Sequence, residues 1–267
     1  MKWAWDAEKE ISKVPFFVRK KVRKRVEKEA TERGCSMVSL DHVHAARKRF
    51  LSNMESEVKG YQIDVCFSQG GCPNSCVEKD TLTARLEALL AAEDLLGFLQ
   101  KSVPGKLRFH HEFRISVSHC PNACSQPQIK DIGIIAAMYP RTEETLCSGC
   151  MACVNVCKEK AVALSNTPFP LINTRACLGC GACIRVCPEG CILSGERGYR
   201  VLLGGRLGRH PRLARELPHL FTESQVLEVV RACLAYYKKN SRAGQRFSAL
   251  LDDNDIPREI LQAVLPQ

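Results

Sequence analysis

The chain carries 16 cysteines in 267 residues, and their spacing constrains its folding more than any other feature. Cys147, Cys150, Cys153 and Cys157 read C-x2-C-x2-C-x3-C; Cys177, Cys180, Cys183 and Cys187 repeat the string, with Pro188 after the last. Cys66 and Cys72 form a wider clip with five residues between them, and Cys120 and Cys124 a tighter one with three. A four-iron cube needs four converging thiolates, and one short clip delivers only two or three. The clips at 66–72 and 120–124 therefore make one site only if the fold brings them together. Two alternatives stand beside this reading: zinc for paired CxxC units, and two unrelated pairs of buried or disulfide cysteines for the clips. The N-terminus MKWAWDAEKE is charged, without the apolar run of a signal peptide. The expected location is therefore the cytoplasm, where thiols ligate metals more often than they form disulfides. Cys35, Cys76, Cys191 and Cys233 are expected to be structural, although Cys76 and Cys191 stand close to ligand groups in sequence.

The rest of the sequence predicts an α+β protein. In the stretch 14–33, Val14, Phe17, Val18, Val22, Val26 and Ala30 recur at helical steps, with lysines and arginines on the wet side and Gly34 placed to cap the end. A second helix is expected from Ser39 or Asp41, with His42 and His44 as ordinary helix-face residues, and 51–60 as a linker. YQIDVCF reads as a strand that delivers Cys66 to a glycine-bearing loop, SQGGCPNS. One helix is expected from Asp80 to about Gln100, then the strand FRISVSHC carrying Cys120, then an extended QIKDIGIIAAMY. GYRVLLGG resumes as a strand after the cysteine-rich stretch, and 224–240 reads as an amphipathic helix with Val226, Val229, Val230, Cys233, Leu234 and Tyr237 on one stripe. Strand–helix–strand with both clips at strand ends suits an α+β half-domain that holds a cofactor in loops along one edge.

The Cys-x5-Cys and Cys-x3-Cys pair, with CPNAC as the second clip, resembles the sirohaem and four-iron signature of sulfite and nitrite reductases. The resemblance covers roughly residues 60 to 250, includes DIGIIAAMYP and GYRVLLGGRLGRHPRL, and is similar in form to the C subunit of anaerobic sulfite reductase. It implies a nitrite/sulfite reductase-like half-domain at 60–140 and 198–267. In it Cys66, Cys72, Cys120 and Cys124 would hold a cluster, Cys124 would bridge to sirohaem iron, and Asn122 would touch the macrocycle. The two cysteine runs resemble a bacterial two-cluster ferredoxin inserted at 141–197, in which each run gives its fourth cysteine to the other cluster. That resemblance implies one cluster on Cys147, Cys150, Cys153 and Cys187, and another on Cys177, Cys180, Cys183 and Cys157, with Lys158 where the common proline stands. Residues 1–52 resemble the small helical domain at the end of one light-independent protochlorophyllide reductase chain, which implies docking rather than catalysis.

The basic turn at Arg206, Arg209, His210 and Arg212, beside Gly204 and Gly205, carries fork-shaped donors suited to carboxylates, so it is a candidate for sirohaem side chains. The formal charge of +10 invites a nucleic-acid partner. Three oxidised clusters with their thiolates, at about −2 each, would lower that charge to roughly +4, and an ionised sirohaem to roughly −4. With no nucleic-acid motif in the chain, no such partner is expected, and no apolar run is long enough for a membrane span. The expected function is a redox protein. Electrons from a donor protein enter through two ferredoxin clusters, pass to the clip cluster, and reach sirohaem for the reduction of sulfite or nitrite. Two alternatives are a three-cluster electron-transfer subunit without sirohaem and a sirohaem carrier or sensor. The half that supplies substrate-binding cations in this family has no counterpart here, so a homo-oligomer or a partner subunit is expected to supply it. No residue is assigned a catalytic proton-transfer role.

Overall fold

The structure, a computed structural model, describes residues 1–267 except 15, 33, 68–70, 144–146, 165–168, 252–254 and 265–267, and leaves aside the side chains of 16–18, 21, 49–57 and 263–264. The chain forms two compact units: residues 1–58 with 106–110, and residues 59–105 with 111–267.

The first unit contains β1 (Lys2–Trp3), α1 (Trp5–Ser12), α2 (Phe16–Glu32), β2 (Met37–Val38) and α3 (Leu40–Glu57), with β1 and β2 paired in parallel. The stripe expected on α2 buries Val26 and Ala30 in a small core with Ala7, Val38 and Val43; the side chains of Phe17 and Val18 lie outside the described residues. Gly34 ends the helix at φ +73°, so that its N–H reaches Thr31 O at 2.9 Å and the Cys35 N–H reaches Ala30 O at 3.0 Å, the bond pair of a left-handed helix end. Ser39 begins α3, and His42 is part of the cap: its Nδ1 accepts the Ser39 backbone N–H at 3.1 Å. The stretch 51–60, expected as a linker, is helical to Glu57, because LSNMESE offers no proline or glycine to stop the helix.

The second unit is built on a five-stranded sheet in the order β3 (Tyr61–Val65), β4 (Phe113–Ser118), β5 (Ile132–Thr142), β8 (Ile192–Leu203), β9 (Arg215–Glu216). The first three run parallel; β8 and β9 are each antiparallel to the preceding neighbour. Where one helix was expected from Asp80, the chain forms two, α4 (Leu82–Ala92) and α5 (Leu95–Ser102). Asp94 is responsible: it takes φ +43° and its Oδ1 accepts the Gly97 N–H at 3.1 Å, capping a new helix in mid-sequence. Helix α8 (Glu223–Asn240) opens on a capping box between Thr222 and Gln225 and buries the expected stripe, with Leu227 added. The short helices α9 (Phe247–Leu250) and α10 (Arg258–Val264) follow, and Phe113, Tyr237 and Phe247 meet in the core with ring centroids 5.4–6.4 Å apart.

The cysteine runs lie between β5 and β8. Those strands pair as far as Thr142 opposite Ile192, so the inserted segment grows from the tip of one long hairpin. It holds α6 (Ala152–Val156), a small antiparallel pair β6 (Val162–Leu164) and β7 (Pro170–Ile172), and α7 (Ala182–Val186). Among the described residues, no helix is long and apolar enough to cross a membrane.

Candidate metal centres

The parallel register of β3 and β4 brings the two clips together. Val65 stands opposite Val117, so Cys66 and Cys120 leave the sheet at the same edge, just beyond their strand ends. The Cys66 N–H donates to Val117 O at 3.1 Å, and the His119 N–H donates to Cys66 Sγ at 3.3 Å. Cys120 is buried, Cys66 and Cys72 are half-buried, and Cys124 is exposed. Burial pushes the Cys120 thiol up; the Asn122 N–H opposes this, and the charges of Cys124, Cys72 and Cys66 add to it, so Cys120 lies within reach of the other three clip thiols. Of the loop after Cys66, residues 68–70 lie outside the described residues; Gly71 stands at φ +87° with open space around its Cα, so the turn itself requires glycine there.

Three serines hold the CPNAC loop to β4. Ser118 Oγ and Ser125 Oγ are 2.7 Å apart, Ser116 Oγ donates to Ser125 O at 2.8 Å, and Ser125 Oγ donates to Val117 O at 2.8 Å. Sequence reasoning missed them, although two serines at i and i+2 on one face of an otherwise apolar strand were the available signal. Ala123 takes φ +53°, which favours a small residue in that place. His119 was also missed: its Nε2 lies 3.3 Å from Asp80 Oδ2, and Asp80 in turn accepts the Thr83 N–H at 3.0 Å and the Thr83 hydroxyl at 2.6 Å. The carboxylate expected to cap the helix therefore also stands beside the imidazole that precedes Cys120.

The two cysteine runs share one backbone at an offset of thirty residues. Gly149 and Gly179 both take φ +71°, Met151 and Gly181 take +61° and +66°, and Cys157 and Cys187 end α6 and α7 in the same extended conformation. A cavity at one end of the segment is lined by Cys147, Cys150, Cys153 and Cys187, with Cys191 as a fifth thiol. At the other end, Cys177 is pushed up by burial, lowered by the Gly179 N–H, and raised by the charges of Cys180 and Cys157; burial and the charges of Cys177 and Cys180 push Cys183 up to about 11. The neighbours in both groups thus cross between the runs. Cys187 is lowered: burial opposes this, but the Ile192 N–H and the Cys191 thiol outweigh it, while burial and that same contact push Cys191 up to about 12.

Cys76 joins the clips to the second run. Its Sγ lies 3.7 Å from both Gly179 O and Cys180 O, and its N–H donates to His119 O at 2.7 Å. Burial first, then the charge of Cys120, pushes its thiol up to about 11. Beside it the Met138 N–H of β5 donates to Gly179 O at 2.7 Å.

The donor set is entirely thiolate, which selects zinc or iron–sulfur centres. Among the described residues, no three His, Cys, Asp or Glu side chains converge on a single-ion site. Burial and mutual repulsion raise Cys120, Cys153, Cys177 and Cys183, and a cationic cluster would supply the missing counter-charge. The cysteines fit cluster ligation.

In the basic turn, Arg206 and Arg212 are tied to the chain's own backbone. Arg212 Nε and Nη2 donate to Gly204 O at 3.1 and 3.0 Å and Nη1 to Leu251 O at 3.0 Å, while Arg206 donates to His210 O at 3.0 Å and to Ser248 O at 3.4 Å. These two guanidiniums are engaged with backbone carbonyls. Gly205 answers to a close backbone approach, since a Cβ there would lie 2.4 Å from Gln128 O. Arg209 and His210 are exposed at the tip of the turn, and Asn122 is exposed on the clip loop.

Residues 59–258 match the nitrite and sulphite reductase 4Fe-4S domain, and residues 3–47 match the proto-chlorophyllide reductase 57 kD subunit. A coenzyme F420-dependent sulfite reductase of Methanocaldococcus jannaschii is 35% identical over 182 residues, which is 68% of this chain and 27% of that protein. The B subunit of light-independent protochlorophyllide reductase from Pelodictyon phaeoclathratiforme is 52% identical over 48 residues, 18% of this chain and 9% of that one. Dissimilatory sulfite reductase I superimposes with a TM-score of 0.50 at 14% identity, over 81% of this chain and 57% of the other, which shows a shared fold. The chain thus spans only part of each relative's length. With both clips at one sheet edge inside the matched span, this chain belongs to the nitrite and sulphite reductase 4Fe-4S domain family.

Proposed function

We propose that the chain is an iron–sulfur oxidoreductase of the sulfite or nitrite reductase type, with a cluster on Cys66, Cys72, Cys120 and Cys124 and two more on the inserted cysteine runs. When bound, the clusters would carry electrons one at a time, and a sirohaem would supply the iron at which sulfite or nitrite is reduced. The observation that carries this reading is the position of Cys76, in contact with the Cys180 backbone and hydrogen-bonded to the residue before Cys120. It supports a continuous order of ligand sets in one chain: the set of Cys147 outermost, the set of Cys177 next, the clips last.

Cys124 is the exposed clip thiol, which suits a ligand shared with a further cofactor, and Asn122 is exposed two residues before it. Arg209 is the guanidinium of the basic turn placed to meet a carboxylate from solvent. The M. jannaschii relative is a sulfite reductase of which this chain spans 27%; that a partner subunit or a second copy supplies further substrate-binding cations is part of this proposal. An electron-donor protein would dock at the inserted segment.

A second reading, a three-cluster electron-transfer subunit without sirohaem, draws support from Arg206 and Arg212, whose guanidiniums are engaged with backbone carbonyls. Anaerobic purification followed by absorption spectroscopy separates the two: a band toward the red marks sirohaem, and a broad brown shoulder alone leaves clusters only. Iron analysis is expected to give about 12 iron atoms per chain, and Cys66→Ser with Cys120→Ser is expected to remove about a third of them. Unchanged iron in that double variant would overturn the clip assignment. Sulfite- or nitrite-dependent oxidation of reduced methyl viologen then distinguishes an enzyme from a carrier.

A further inference from the structure

The offset of thirty residues that relates the two cysteine runs makes each position in one run a control for the other. Cys157 corresponds to Cys187, and four residues later Ala161 corresponds to Cys191. Both are buried, at 2% and 3% exposure, and each is followed by the first residue of a strand. The Ala161 N–H donates to Cys157 Sγ at 3.2 Å, and the Cys191 N–H stands in the same relation to Cys187. The repeat thus gives both fourth cysteines the same backbone donor. The side chains break the symmetry: Cys191 Sγ lies 3.4 Å from Cys187 Sγ and lines the cavity formed by Cys147, Cys150 and Cys153, whereas Ala161 offers its partner a methyl group.

We infer that Cys191 is a positioning residue for the outer cluster, donating its S–H to the Cys187 sulfur and so making that cluster easier to reduce than the one on Cys177, Cys180, Cys183 and Cys157. The inference rests on the proposed two-cluster reading of the inserted segment. The direction of the bond follows from the donor inventory. A metal-bound thiolate has no proton and can only accept, so the unligated thiol beside it donates. A hydrogen bond to a cluster sulfur favours the more negative, reduced state and raises the reduction potential. The fold already tolerates the smaller residue in this environment, since Ala161 occupies it, so Cys191→Ala tests the thiol without introducing a foreign shape.

The experiment is a potentiometric titration of the full-length, cluster-loaded protein, followed by electron paramagnetic resonance. In Cys191→Ala, iron content is expected to stay at the wild-type level. One of the two inserted-segment clusters should lose about tenfold in its one-electron reduction equilibrium, ~59 mV, with the other unmoved. Cys191→Ser keeps a donor and should restore most of the shift. Ala161→Cys, which places a thiol beside Cys157, should raise the potential of the other cluster. Unchanged potentials in both Cys191→Ala and Ala161→Cys would overturn the inference, as would loss of one cluster's iron in Cys191→Ala, which would make Cys191 a ligand. Wild-type protein with no cluster in the inserted segment would overturn the two-cluster reading itself, a result distinct from loaded protein whose potentials do not respond.

Discussion

At the scale of single residues, two arginines three positions apart are expected to behave in opposite ways. Arg212 donates to the carbonyls of Gly204, Ser248 and Leu251, so Arg212→Ala takes this donor from Gly204 and Leu251 and leaves Ser248 O to Arg206 alone. A cost of about 1–3 kcal/mol follows, or roughly 2–4 °C in melting temperature per kcal/mol for a unit of this size. Arg212→Lys should not recover it, because an ammonium cannot serve three carbonyls in one plane. Arg209→Ala should leave the melting curve unchanged and lower sirohaem loading, read from the absorption spectrum. Glu112 gives a prediction in pH. Its carboxyl is buried and pushed up, by burial above all, although the Lys59 N–H at 2.9 Å opposes the shift. A folded-state value above the unfolded one means that the charge costs stability as pH rises through it and costs nothing well below the ordinary carboxylate range. Glu112→Gln keeps the acceptor and removes the charge, so it should melt above the wild type at neutral pH and level with it in acid. That the two clips would meet was legible from their place at the ends of two expected strands, since neighbouring parallel strands carry their following loops to one sheet edge. The fates of Arg206 and Arg212 were not, because fork-shaped donors suit a backbone carbonyl as well as a carboxylate, and only the fold decides between them.

Among the elements, the strands and most helices followed the apolar periodicity, and the misreadings came from local chemistry that outweighs periodicity. Leucines run on through 82–99 with no break, but Asp94 offers a cap for Gly97 N–H, and the chain takes it, forming two helices. The continuation of α3 over 51–57 is the reverse case, a polar stretch read as a linker that contains nothing to end a helix. Strand β5 carries the constraint with the clearest consequence. A Cβ on Gly133 would lie 2.2 Å from Pro127 O, in the turn that follows the CPNAC loop and its serine clasp. That contact is with backbone and has no cheap escape. Gly133→Ala is expected to cost about 1–3 kcal/mol, and to release the iron of the clip cluster before that of the inserted segment, followed by absorbance during chelator challenge.

For the molecule as a whole, the two units have separate hydrophobic cores, and the first is small enough for its stability to be marginal. Both tryptophans of the chain, Trp3 and Trp5, fall in that unit. Trp3 is held there by its Nε1–H on Glu27 at 2.8 Å and by Arg23 over its ring at 4.3 Å. Tryptophan emission therefore reports one unit alone. In a denaturant titration its midpoint should fall below that of the far-ultraviolet circular dichroism, to which the sheet and helices of the second unit also contribute; coincident transitions would refute this.

The long hairpin of β5 and β8 remains in register from Ile132 opposite Leu203 to Thr142 opposite Ile192, with one irregularity near Met138. Everything that bears the two cysteine runs therefore enters and leaves through neighbouring residues on adjacent strands. A short turn in place of the insertion would keep the strand order, but it would take from the clip edge the Gly179 carbonyl that Met138 N–H donates to and that Cys76 Sγ faces. The inserted segment is thus separable in its chain path and bound in its contacts.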